Sequence, residues 1–309
     1  MATTTTARIN ADGVFAVVIP THNRSALVTR AIDSVYATGC PGVEIIVVDD
    51  ASEDDTVGVV SRMYPEVKVL RMPVNGGPGA ARNLGIYSAR SEWAIMLDDD
   101  DLLKPEALTT IYRALTEDSG LAKYPVIQFA RSNAAVRAPF MVARLRDFVD
   151  GGIVGDFAAV IQTRLFKERQ FRYPECRVGG EHLLWFDIAQ TCGIPTWSTT
   201  VIQMTADASL NLCSIGSQLA RPREYAEMQE KTLAQFRDAL LELSPAYYRK
   251  KVLGAITYRL LAGDRSIARK TIAEERSLRA SDRIVLTCLT YLPQVIVRKL
   301  FKAYRGTSL

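Results

Sequence analysis

The sequence predicts an α/β protein in which a parallel sheet is covered by helices on both faces and is followed by a helical C-terminal region. In the first 105 residues, continuous apolar runs alternate with segments of helical spacing, and the links between them are short. Such runs are typical of strands buried on both faces, and strand–helix–strand repetition favours a parallel sheet. From about residue 217 onward the pattern is helical.

The first two strands are expected at Val14–Ile19 and Glu44–Val48, which are almost wholly apolar. Pro20 closes the first of them, since proline has no backbone N–H to donate to a neighbouring strand. Apolar residues at helical spacing predict a helix over Arg24–Ala37. This order places one complete strand–helix–strand unit within the first 50 residues.

The next elements are shorter. Ser52, with Asp55 three positions later, resembles a capping box and predicts a helix that runs to about Met63. Val67–Leu70 is expected to be the third strand. A glycine-rich turn then leads into a helix over Ala80–Ala89.

A fourth strand is expected at Trp93–Leu97 and is ended by the aspartate run Asp98–Asp101. Pro105 suits the first residue of the helix that follows, and Asp101 would merely start that helix. The middle of the chain is harder to assign. It contains strand-like segments at Pro125–Ala130 and Trp197–Met204 and a helical segment at Glu181–Cys192.

The composition is that of an ordinary globular protein of 309 residues, with 48% hydrophobic and 23% charged residues. The net charge of +4 is unevenly distributed. Residues 221–309 contain 18 Lys and Arg against 9 Asp and Glu, whereas the first 220 residues contain 20 against 25. An acidic front part suits a cation-dependent site, and a basic C-terminal part suits an anionic partner such as a phospholipid surface.

Five cysteines are scattered along the chain without a C-x-x-C pair: Cys40, Cys176, Cys192, Cys213 and Cys288. This pattern predicts reduced core residues and favours neither a zinc site nor a disulfide framework. The N-terminus lacks the basic-then-apolar order of a signal peptide, and no stretch reaches the roughly 18 uninterrupted apolar residues of a membrane-spanning helix. We therefore expect a cytoplasmic protein.

Three polar clusters follow three of the predicted strands: Pro20-Thr21-His22, Asp49-Asp50 and Asp98–Asp101. Ligands of open α/β sheets bind beyond the carboxyl ends of the strands, so we expect the clusters to line one cleft. Neighbouring carboxylates about 4 Å apart repel by roughly 1 kcal/mol even in water. The run is either a solvated turn at a helix N-terminus or a site for Mg²⁺ or Mn²⁺, which explains four aspartates better.

Five segments resemble, in order and spacing, the family 2 glycosyltransferases of the GT-A fold: VVIPTHNR (17–24), IIVVDDASEDDT (45–56), NGGPGAARNLGI (75–86), AIMLDDDD (94–101) and VGGEHLLWFDIA (178–189). The last is a variant of the family's acceptor-side Gly-Glu-Asp helix. The resemblance covers about residues 14–205. It implies a Rossmann-like mixed sheet with helices on both faces.

The resemblance also implies a domain organisation. A flexible N-terminus, residues 1–13, would precede a catalytic domain over residues 14–215. That domain would consist of a nucleotide-binding half, residues 14–118, and an acceptor half, residues 119–215. A helical region, residues 216–309, would follow.

Roles for individual residues are implied as well. The loop after the first strand and the aspartate after the second would hold the nucleotide sugar through Pro20, Thr21, His22, Arg24 and Asp50. Arg82 would approach the base or a phosphate. Asp98 and Asp99 would lie by the ribose and the donor sugar, and Asp100 would bind Mn²⁺ or Mg²⁺. Such a cation neutralises the charge that develops on the departing diphosphate.

Some nearby residues are expected to be structural. Asp49 is expected to cap a turn, and Asn83 is expected to be a structural hydrogen-bonding residue. The glycines at 76, 77 and 79 do not form G-x-G-x-x-G, and no Walker A lysine is present. These two absences exclude nicotinamide-binding and P-loop sites.

The sequence departs from the family at the catalytic base. Family members invert the anomeric centre, and a carboxylate removes the proton of the acceptor hydroxyl; His182 stands where that aspartate is usual. Neutral imidazole accepts a proton near pH 7, so His182 is the first candidate and Glu181 the second. The third alternative is a structural His182, with the base elsewhere or with weak activity.

The C-terminal segment Ile284–Arg305 combines an apolar run with four cations. It is too short and too interrupted by proline to span a membrane. Two interpretations are equally supported: the segment lies among anionic lipid headgroups, or it packs on the catalytic domain with a solvated basic face. The first would make the protein peripheral on the inner face of the plasma membrane.

The expected function is an inverting glycosyltransferase with a nucleoside-diphosphate sugar donor, for which the resemblance favours UDP. The acceptor would be a saccharide or lipid-linked saccharide in bacterial cell-surface or exopolysaccharide synthesis, and we expect no nucleic-acid partner. A sugar nucleotidyltransferase would share the strand-end carboxylates, but VVIPTHNR lacks the glycine-rich loop expected there. A catalytically weak nucleotide-binding relative is suggested only by His182.

Overall fold

The computed structural model describes residues 12–205 and 214–306. The chain divides into two compact units, residues 1–176 with 181–208, and residues 177–180 with 209–309. The described strands all lie in the first unit: β1 (Phe15–Thr21), β2 (Glu44–Asp49), β3 (Lys68–Arg71), β4 (Trp93–Met96), β5 (Asp101–Leu103), β6 (Val126–Arg131), β7 (Ala135–Val136), β8 (Phe140–Ala143), β9 (Ile153–Val154), β10 (Phe157–Gln162) and β11 (Ile194–Met204). The predicted flexible N-terminus, residues 1–13, lies almost wholly outside the described residues.

The first unit also contains a short 3-10 helix (Ser119–Lys123) and seven described α-helices: α1 (Ser25–Ala37), α2 (Thr56–Met63), α3 (Pro78–Ser88), α4 (Ala107–Glu117), α5 (Leu145–Val149), α6 (Thr163–Glu168) and α7 (Glu181–Thr191). Nine strands form the main sheet. Eight of them follow the order β3-β2-β1-β4-β10-β6-β11-β5, and β8 pairs with β11. The first four strands are parallel, whereas β10 is antiparallel to both β4 and β6. The predicted mixed α/β sheet is therefore confirmed.

Alternate residues of β1 face the two sides of the sheet. Val17 and Ile19 pack in one hydrophobic cluster with Ile32 of α1. Val18 packs in a second cluster with Ile86 of α3. All of these side chains are fully buried, and burial of each contributes roughly 1.5–3 kcal/mol. The continuous apolar run of β1 thus results from helices on both faces, as predicted.

Pro20 lies inside β1 rather than after it. It is paired in register with Val48 of β2, and the strand continues to Thr21. Pairing between β1 and β4 has already ended at Val18. Only β2 flanks β1 at Pro20, and a strand position with one neighbour tolerates a residue without an N–H.

The predicted capping box was wrong. The helix α2 begins at Thr56, and its N-cap residue Asp55 makes no capping hydrogen bond. The Ser52 hydroxyl instead accepts a hydrogen bond of 2.8 Å from the Asn23 amide. Ser52 therefore joins two neighbouring loops, an interaction between residues 29 positions apart that local sequence spacing does not reveal.

Asp101 does not begin a helix, which also differs from the prediction. It is the first residue of β5 and pairs with Met204 of β11. The helix α4 begins only at Ala107, two residues after Pro105. Pairing with a strand about 100 residues later in the chain decides this conformation, because strand formation depends on tertiary context more than helix formation does.

The second unit is helical over its described residues: α8 (Ile215–Ala220), α9 (Pro222–Leu243), α10 (Pro245–Ala262), α11 (Arg265–Glu274), α12 (Ala280–Tyr291) and α13 (Gln294–Gly306). This confirms the predicted helical C-terminal region. Gly263, with φ +85°, ends α10 in the left-handed conformation that favours glycine. The segment Ile284–Arg305 is two helices rather than one, separated at Leu292-Pro293. No helix in the described ranges combines the length and apolarity needed to cross a membrane.

The prediction of reduced core cysteines is confirmed in part. Cys40, Cys176, Cys192 and Cys288 are free thiols. Cys40 and Cys192 are partly buried and pack against the two hydrophobic clusters, whereas Cys176 is only partly buried and Cys288 is exposed. The first three lie beyond the ends of regular elements, and Cys288 lies on the solvent side of α12. Cys213 falls outside the described residues.

Candidate functional site

Three polar clusters meet at one edge of the sheet, because β2, β1 and β4 are parallel neighbours. The Thr21 hydroxyl donates a hydrogen bond of 2.8 Å to Asp99 Oδ2, which joins the end of β1 to the loop after β4. The Thr21 carbonyl accepts a hydrogen bond of 2.8 Å from the Asp50 amide, just beyond β2. All three residues are buried, so hydrogen bonds join the ends of these strands into one surface.

Arg24, the N-cap residue of α1, contacts two aspartates. Its Nη1 donates to Asp99 Oδ1 at 2.8 Å and to Asp100 Oδ2 at 3.3 Å. Burial raises the pKa of Asp99 to about 6, and the interactions with Arg24 and Thr21 offset only part of this effect. Arg24 donates to one oxygen of Asp99 and Thr21 donates to the other, so both carboxylate oxygens accept hydrogen bonds from protein groups.

Asp50 shapes the glycine-rich turn before α3. Its two oxygens accept hydrogen bonds from the amides of Gly76 at 2.7 Å and Gly77 at 2.8 Å. Gly77 has φ +85°, a conformation that favours glycine. Asp49 accepts a hydrogen bond of 3.1 Å from the Ser52 amide, which confirms its expected role in a turn. The nucleotide contact expected of Asp50 stays a prediction.

Arg82, on the buried side of α3, connects the aspartate run to α7. Its Nη2 donates to Asp98 Oδ1 at 2.5 Å, and its Nη1 donates to Glu181. Burial alone would lower the pKa of Arg82, but the carboxylates of Glu181 and Asp98 raise it and keep the guanidinium charged. Asn83 is structural, as expected: its side chain forms hydrogen bonds of 2.9 and 2.8 Å with the Tyr173 backbone.

Arg131 is a site residue that the sequence reasoning missed. It is the last residue of β6, and its Nη1 donates to Asp98 at 2.6 Å and to Asp101 at 2.8 Å. Because β10 is antiparallel to both β4 and β6, the carboxyl ends of β4 and β6 lie at the same edge. The rule that ligands bind at strand ends, applied to the predicted strand Pro125–Ala130, is the signal that could have identified Arg131.

The aspartates of the run differ in their protonation equilibria. Burial alone would raise the pKa of Asp98, but Arg131 and Arg82 outweigh it and hold the pKa well below its usual range. Burial raises the pKa of Asp101 to about 7, and Arg131 offsets only part of that effect, while Asp98 and Asp100 add to it. Within the run, the ionised form of Asp98 is therefore strongly stabilised. The ionised forms of Asp99 and Asp101 would be stabilised by an additional positive charge.

The run has the spacing of a cation site. Asp98, Asp100 and Asp101 each offer a carboxylate oxygen, and these three oxygens lie within 4.8 Å of one another. Oxygens on opposite sides of an octahedral Mg²⁺ are about 4.2 Å apart, since each lies about 2.1 Å from the metal. A small divalent cation fits this spacing after minor adjustment. Asp99 lies outside this set because it is turned toward Thr21 and Arg24.

The charges of the site also fit a divalent cation. Five carboxylates and three guanidinium groups are linked by ion pairs: Asp98, Asp99, Asp100, Asp101 and Glu181 with Arg24, Arg82 and Arg131. When all are ionised, the group has two negative charges in excess. Carboxylate oxygens are the ligands that Mg²⁺ and Mn²⁺ prefer, and one such ion balances the excess.

Pro20 and His22 flank Thr21 at the end of β1. The His22 ring has its Nε2 3.2 Å from the Asn23 side-chain amide. Its Nδ1 is buried and has no hydrogen-bond partner within the described part of the chain. A buried polar atom without a partner costs roughly 1–3 kcal/mol, so a ligand group that bonds this nitrogen would recover that free energy.

The first turn of α7 places the two candidate bases in different surroundings. Glu181 is paired with Arg82 and its side chain is 40% exposed. His182 is partly buried and packs edge-on against Phe186, with ring centroids 5.5 Å apart. Successive residues of a helix project about 100° apart. Glu181 therefore belongs to the arginine–aspartate network, while His182 lies toward the aromatic side of α7.

The comparison with family models agrees with this geometry. Residues 16–162 match the model described as Glycosyl transferase family 2. The matched region contains Thr21, Asp50, Arg82, Arg131 and the whole aspartate run, and it ends before α7.

Two curated relatives illustrate the similarity in sequence. The chain is 25% identical over 306 residues to GalNAc(5)-diNAcBac-PP-undecaprenol beta-1,3-glucosyltransferase of Campylobacter jejuni, covering 93% of this chain and 96% of the relative. It is 29% identical over 192 residues to succinoglycan biosynthesis protein ExoO of Rhizobium meliloti, covering 57% of this chain and 55% of the relative. The chain thus spans nearly all of the first relative and about half of the second.

Two solved structures share the fold. Residues 1–349 of S. aureus TarS in complex with UDP-GlcNAc superpose with a TM-score of 0.56 at 18% identity, covering 95% of this chain and 92% of that one. The mannosyltransferase PcManGT from Pyrobaculum calidifontis, in complex with GDP-Man and Mn²⁺, gives a TM-score of 0.50 at 18% identity, covering 95% and 89%. These structures support a GT-A-like fold for the described elements.

Proposed function

We propose that this chain, a glycosyltransferase with a family 2 domain over residues 16–162, transfers a sugar from a nucleoside-diphosphate sugar with inversion. The observation that supports this best is the aspartate run Asp98–Asp101 at the same sheet edge as Thr21 and Asp50. We propose residues 14–215 as the catalytic domain, with a nucleotide-binding half, 14–118, and an acceptor half, 119–215.

The donor would bind over the ends of β1 and β2. The base and ribose would contact four residues at these strand ends: Pro20, Thr21, His22 and Asp50. The Nδ1 of His22, which is buried without a hydrogen-bond partner in the described part of the chain, would form a hydrogen bond with this ligand. UDP is the proposed nucleotide, because S. aureus TarS is solved with UDP-GlcNAc. The donor sugar would lie by Asp99 and Arg24.

Asp100 would hold a Mn²⁺ or Mg²⁺ ion together with Asp98 or Asp101. Its side chain is 21% exposed and its contact with Arg24 is long, at 3.3 Å. Asp98, by contrast, is bonded by both Arg82 and Arg131. Asp100 is therefore the carboxylate most available to a cation, which would neutralise the charge of the diphosphate leaving group.

His182 would act as the base. It would take the proton of the acceptor hydroxyl while that oxygen forms a bond to the anomeric carbon of the donor sugar. The bond from this carbon to the diphosphate breaks in the same step, and the nucleoside diphosphate leaves with the electron pair. Glu181 is bonded to Arg82, so Glu181 would position Arg82 rather than remove the proton.

The acceptor would be a saccharide of a bacterial surface polymer, and we propose a lipid-linked one. The relative that this chain matches over almost its whole length acts, by its name, on a polyprenyl-diphosphate-linked saccharide. An enzyme with such an acceptor would act at the surface of the plasma membrane, on its inner face, where sugar nucleotides are available.

The full-length protein should be screened by thermal shift against UDP, GDP and TDP sugars with and without Mn²⁺. One sugar nucleotide is expected to raise Tm in the presence of Mn²⁺, because a ligand at 100 times its Kd stabilises the fold by about 2.7 kcal/mol. That donor should then be incubated with short saccharide and polyprenyl-diphosphate saccharide acceptors, and the anomeric configuration of the product determined by NMR.

Transfer with inversion and release of the nucleoside diphosphate would support the proposal. A product with retained configuration would contradict the mechanism. Absence of any nucleotide-dependent shift would contradict the donor site. Release of pyrophosphate from a nucleoside triphosphate would indicate the nucleotidyltransferase alternative instead.

A further inference from the structure

The helices α12 and α13 expose a concentration of large apolar side chains. We name these residues the C-terminal apolar face: Ile284, Val285, Tyr291, Val295, Ile296, Leu300 and Tyr304, each between 42% and 71% exposed. Seven of the fourteen exposed large hydrophobic residues in the described ranges thus lie within 21 consecutive positions. Single exposed apolar residues are ordinary, but such a concentration marks an interaction surface.

The C-terminal apolar face is accompanied by charges of one sign. The sequence from residue 283 to residue 309 contains five Lys and Arg and no Asp or Glu. Four of these cations lie on α13, and Lys299 and Lys302 are exposed. A surface with this composition is complementary to an apolar phase bounded by negative charge.

Within the described residues, the helix α13 packs on α10 through one side. Its Val297 is buried, Phe301 packs against Tyr258 of α10 with ring centroids 6.2 Å apart, and Gln294 donates a hydrogen bond to the Leu261 carbonyl. This inner side anchors the helix within its own unit. The outer side, which includes Lys299, is exposed.

The outer side of α13 is itself divided. Ile296, Leu300 and Tyr304 follow one another at four-residue intervals and form an apolar strip along the helix. Lys299 and Lys302 lie on the neighbouring strip, since each residue advances about 100° around the axis. Apolar and cationic strips side by side are the arrangement of a helix that lies in a membrane interface.

We propose that the C-terminal apolar face binds an anionic lipid bilayer, with α13 in the headgroup plane. Thirteen residues of helix measure about 20 Å, which is too short for a hydrocarbon core of about 30 Å. A two-fold contact with a second copy would bring Lys299 and Lys302 near their own equivalents, with no acidic residue of this segment between them. In an anionic bilayer, the apolar strip would contact the acyl chains and the cationic strip would contact the negatively charged headgroups.

This inference deepens the proposed function, because a lipid-linked acceptor would be presented at the same surface. Binding to vesicles does not require transfer, however, and the two can be measured separately. Failure of one measurement therefore leaves the other interpretable.

The full-length protein should be tested by flotation with vesicles of phosphatidylcholine alone and with about one third phosphatidylglycerol. Preferential binding to the anionic vesicles, weakened by salt, is expected. Replacing both Lys299→Gln and Lys302→Gln should lower the partition coefficient on the order of 20-fold, since each interfacial cation contributes about fivefold. Replacing Ile296→Ser and Leu300→Ser should reduce the part of the binding that persists at high salt.

Lys231 and Lys270 provide the matched control, because they are exposed lysines on α9 and α11 of the same unit. Their double replacement by glutamine changes the net charge equally and should leave vesicle binding unchanged. Equal loss in this control would overturn the proposal, as would equal binding to neutral and anionic vesicles. Dimers in light scattering that dissociate in the Ile296→Ser, Leu300→Ser protein, without vesicle binding, would assign the surface to a second copy.

Transfer to a short saccharide acceptor without vesicles separates the two hypotheses. All of these variants should retain it, because none alters a residue of the candidate site. Retained transfer without vesicle binding would overturn only the membrane inference. Vesicle binding without any transfer would count against the proposed function and not against the membrane surface.

Discussion

Arg131 donates a hydrogen bond of 2.6 Å to Asp98, although 32 residues separate the two in the chain. The pair joins the end of β6 to the loop after β4 across the intervening strand β10. A carboxylate at this strand end would otherwise be repelled by its neighbours in the aspartate run.

Replacement of Arg131→Met should destabilise the protein by roughly 1.5–3 kcal/mol, because it removes charged hydrogen bonds to two carboxyl groups. Asp101, whose side chain is only 4% exposed, is the group left without a counter-charge. Urea unfolding measures the effect. In the double variant with Asp101→Asn, the decrease in the free energy of unfolding should be smaller than the sum of the decreases in the two single variants.

Arg164→Met is the control for that experiment. Arg164 pairs with Glu168 on the exposed side of α6 at 3.7 Å, and such surface pairs contribute about 0.5 kcal/mol or less. Equal effects of Arg131→Met and Arg164→Met would show that the Arg131 network does not stabilise the fold.

Asp100→Asn should raise the Mn²⁺ concentration for half-maximal transfer at least about tenfold, because an amide oxygen is a weaker ligand for a hard cation than a carboxylate. The Tm without metal should change little, since Asp100 is partly exposed. Titration of transfer rate against Mn²⁺ measures this. Glu168→Gln, on the exposed side of α6, should leave the titration unchanged; an unchanged requirement in Asp100→Asn would remove Asp100 from the metal site.

The base can be identified from the pH dependence of transfer. With His182 as base, the acid limb of kcat/KM should fall where imidazole titrates, near pH 6.5. His182→Ala should lose about 100-fold or more in rate. His182→Asp should recover part of it and move the acid limb about two pH units lower, toward the range of carboxylates.

Glu181→Gln is the comparison variant, and it should lower activity without moving the acid limb. A wild-type limb near pH 4, or unchanged turnover in His182→Ala, would exclude His182 as the base. A limb that disappears in Glu181→Gln would instead identify Glu181.

Stability of the helical unit should decline in acid. Hydrogen bonds from Arg223 and then Arg259 hold the pKa of Asp264 below its usual value, although burial opposes them. A lowered pKa in the folded state means that the stabilisation is present above about pH 4, where the unfolded carboxyl is ionised, and is lost as the pH falls through the lower folded value. The Tm of Asp264→Asn should therefore fall less steeply below pH 4 than that of the wild type.

The control for the acid experiment is Asp238→Asn, at an exposed position of α9. It should follow the wild-type curve. If Asp264→Asn and the wild type lose stability in parallel, the ion pairs of Asp264 do not contribute to acid unfolding.

Two glycines in helices should respond oppositely to alanine. A Cβ at Gly85 of α3 would lie 2.3 Å from Val18 Cγ1 and 3.2 Å from Val48 Cγ2, so Gly85→Ala should destabilise by roughly 1–3 kcal/mol through overpacking. A Cβ at Gly254 of α10 would meet its nearest neighbour at 3.6 Å. Gly254→Ala should stabilise by about 0.5–1 kcal/mol, because alanine favours the helix. Urea unfolding of the two variants measures both changes in the free energy of unfolding. A stabilised Gly85→Ala protein would contradict the close packing of α3 on β1.

Elements buried on both faces could be predicted from the sequence, because burial leaves a continuous apolar run, as in β1 and β2. Short strands defined by distant partners could not. The strand β5 has three residues and exists through its pairing with β11, and the direction of β10 depends on β4 and β6. Ser52 illustrates the same limit, since its hydroxyl bonds to Asn23 rather than capping α2.

The donor side of the candidate site was predictable because strand ends in a parallel sheet meet at one edge. The arginines were less predictable. Arg24 and Arg82 follow from the family resemblance, but which carboxylates they bond depends on tertiary approach. Arg131 belongs to a strand that was itself predicted, yet nothing in the local sequence of that strand distinguishes a guanidinium at its end from a solvated one.

The pairing of β5 with β11 has a consequence for biosynthesis. Asp101 is held in place by Met204 and Arg131, both of which are synthesised later. Domains that emerge from the ribosome fold from the N-terminus as far as their contacts allow. A nascent chain that ends near residue 118 would contain all four aspartates but would lack the neighbours that place the last of them. The candidate cation site can therefore gain Asp101 as a ligand only after Met204 has been added to the growing chain.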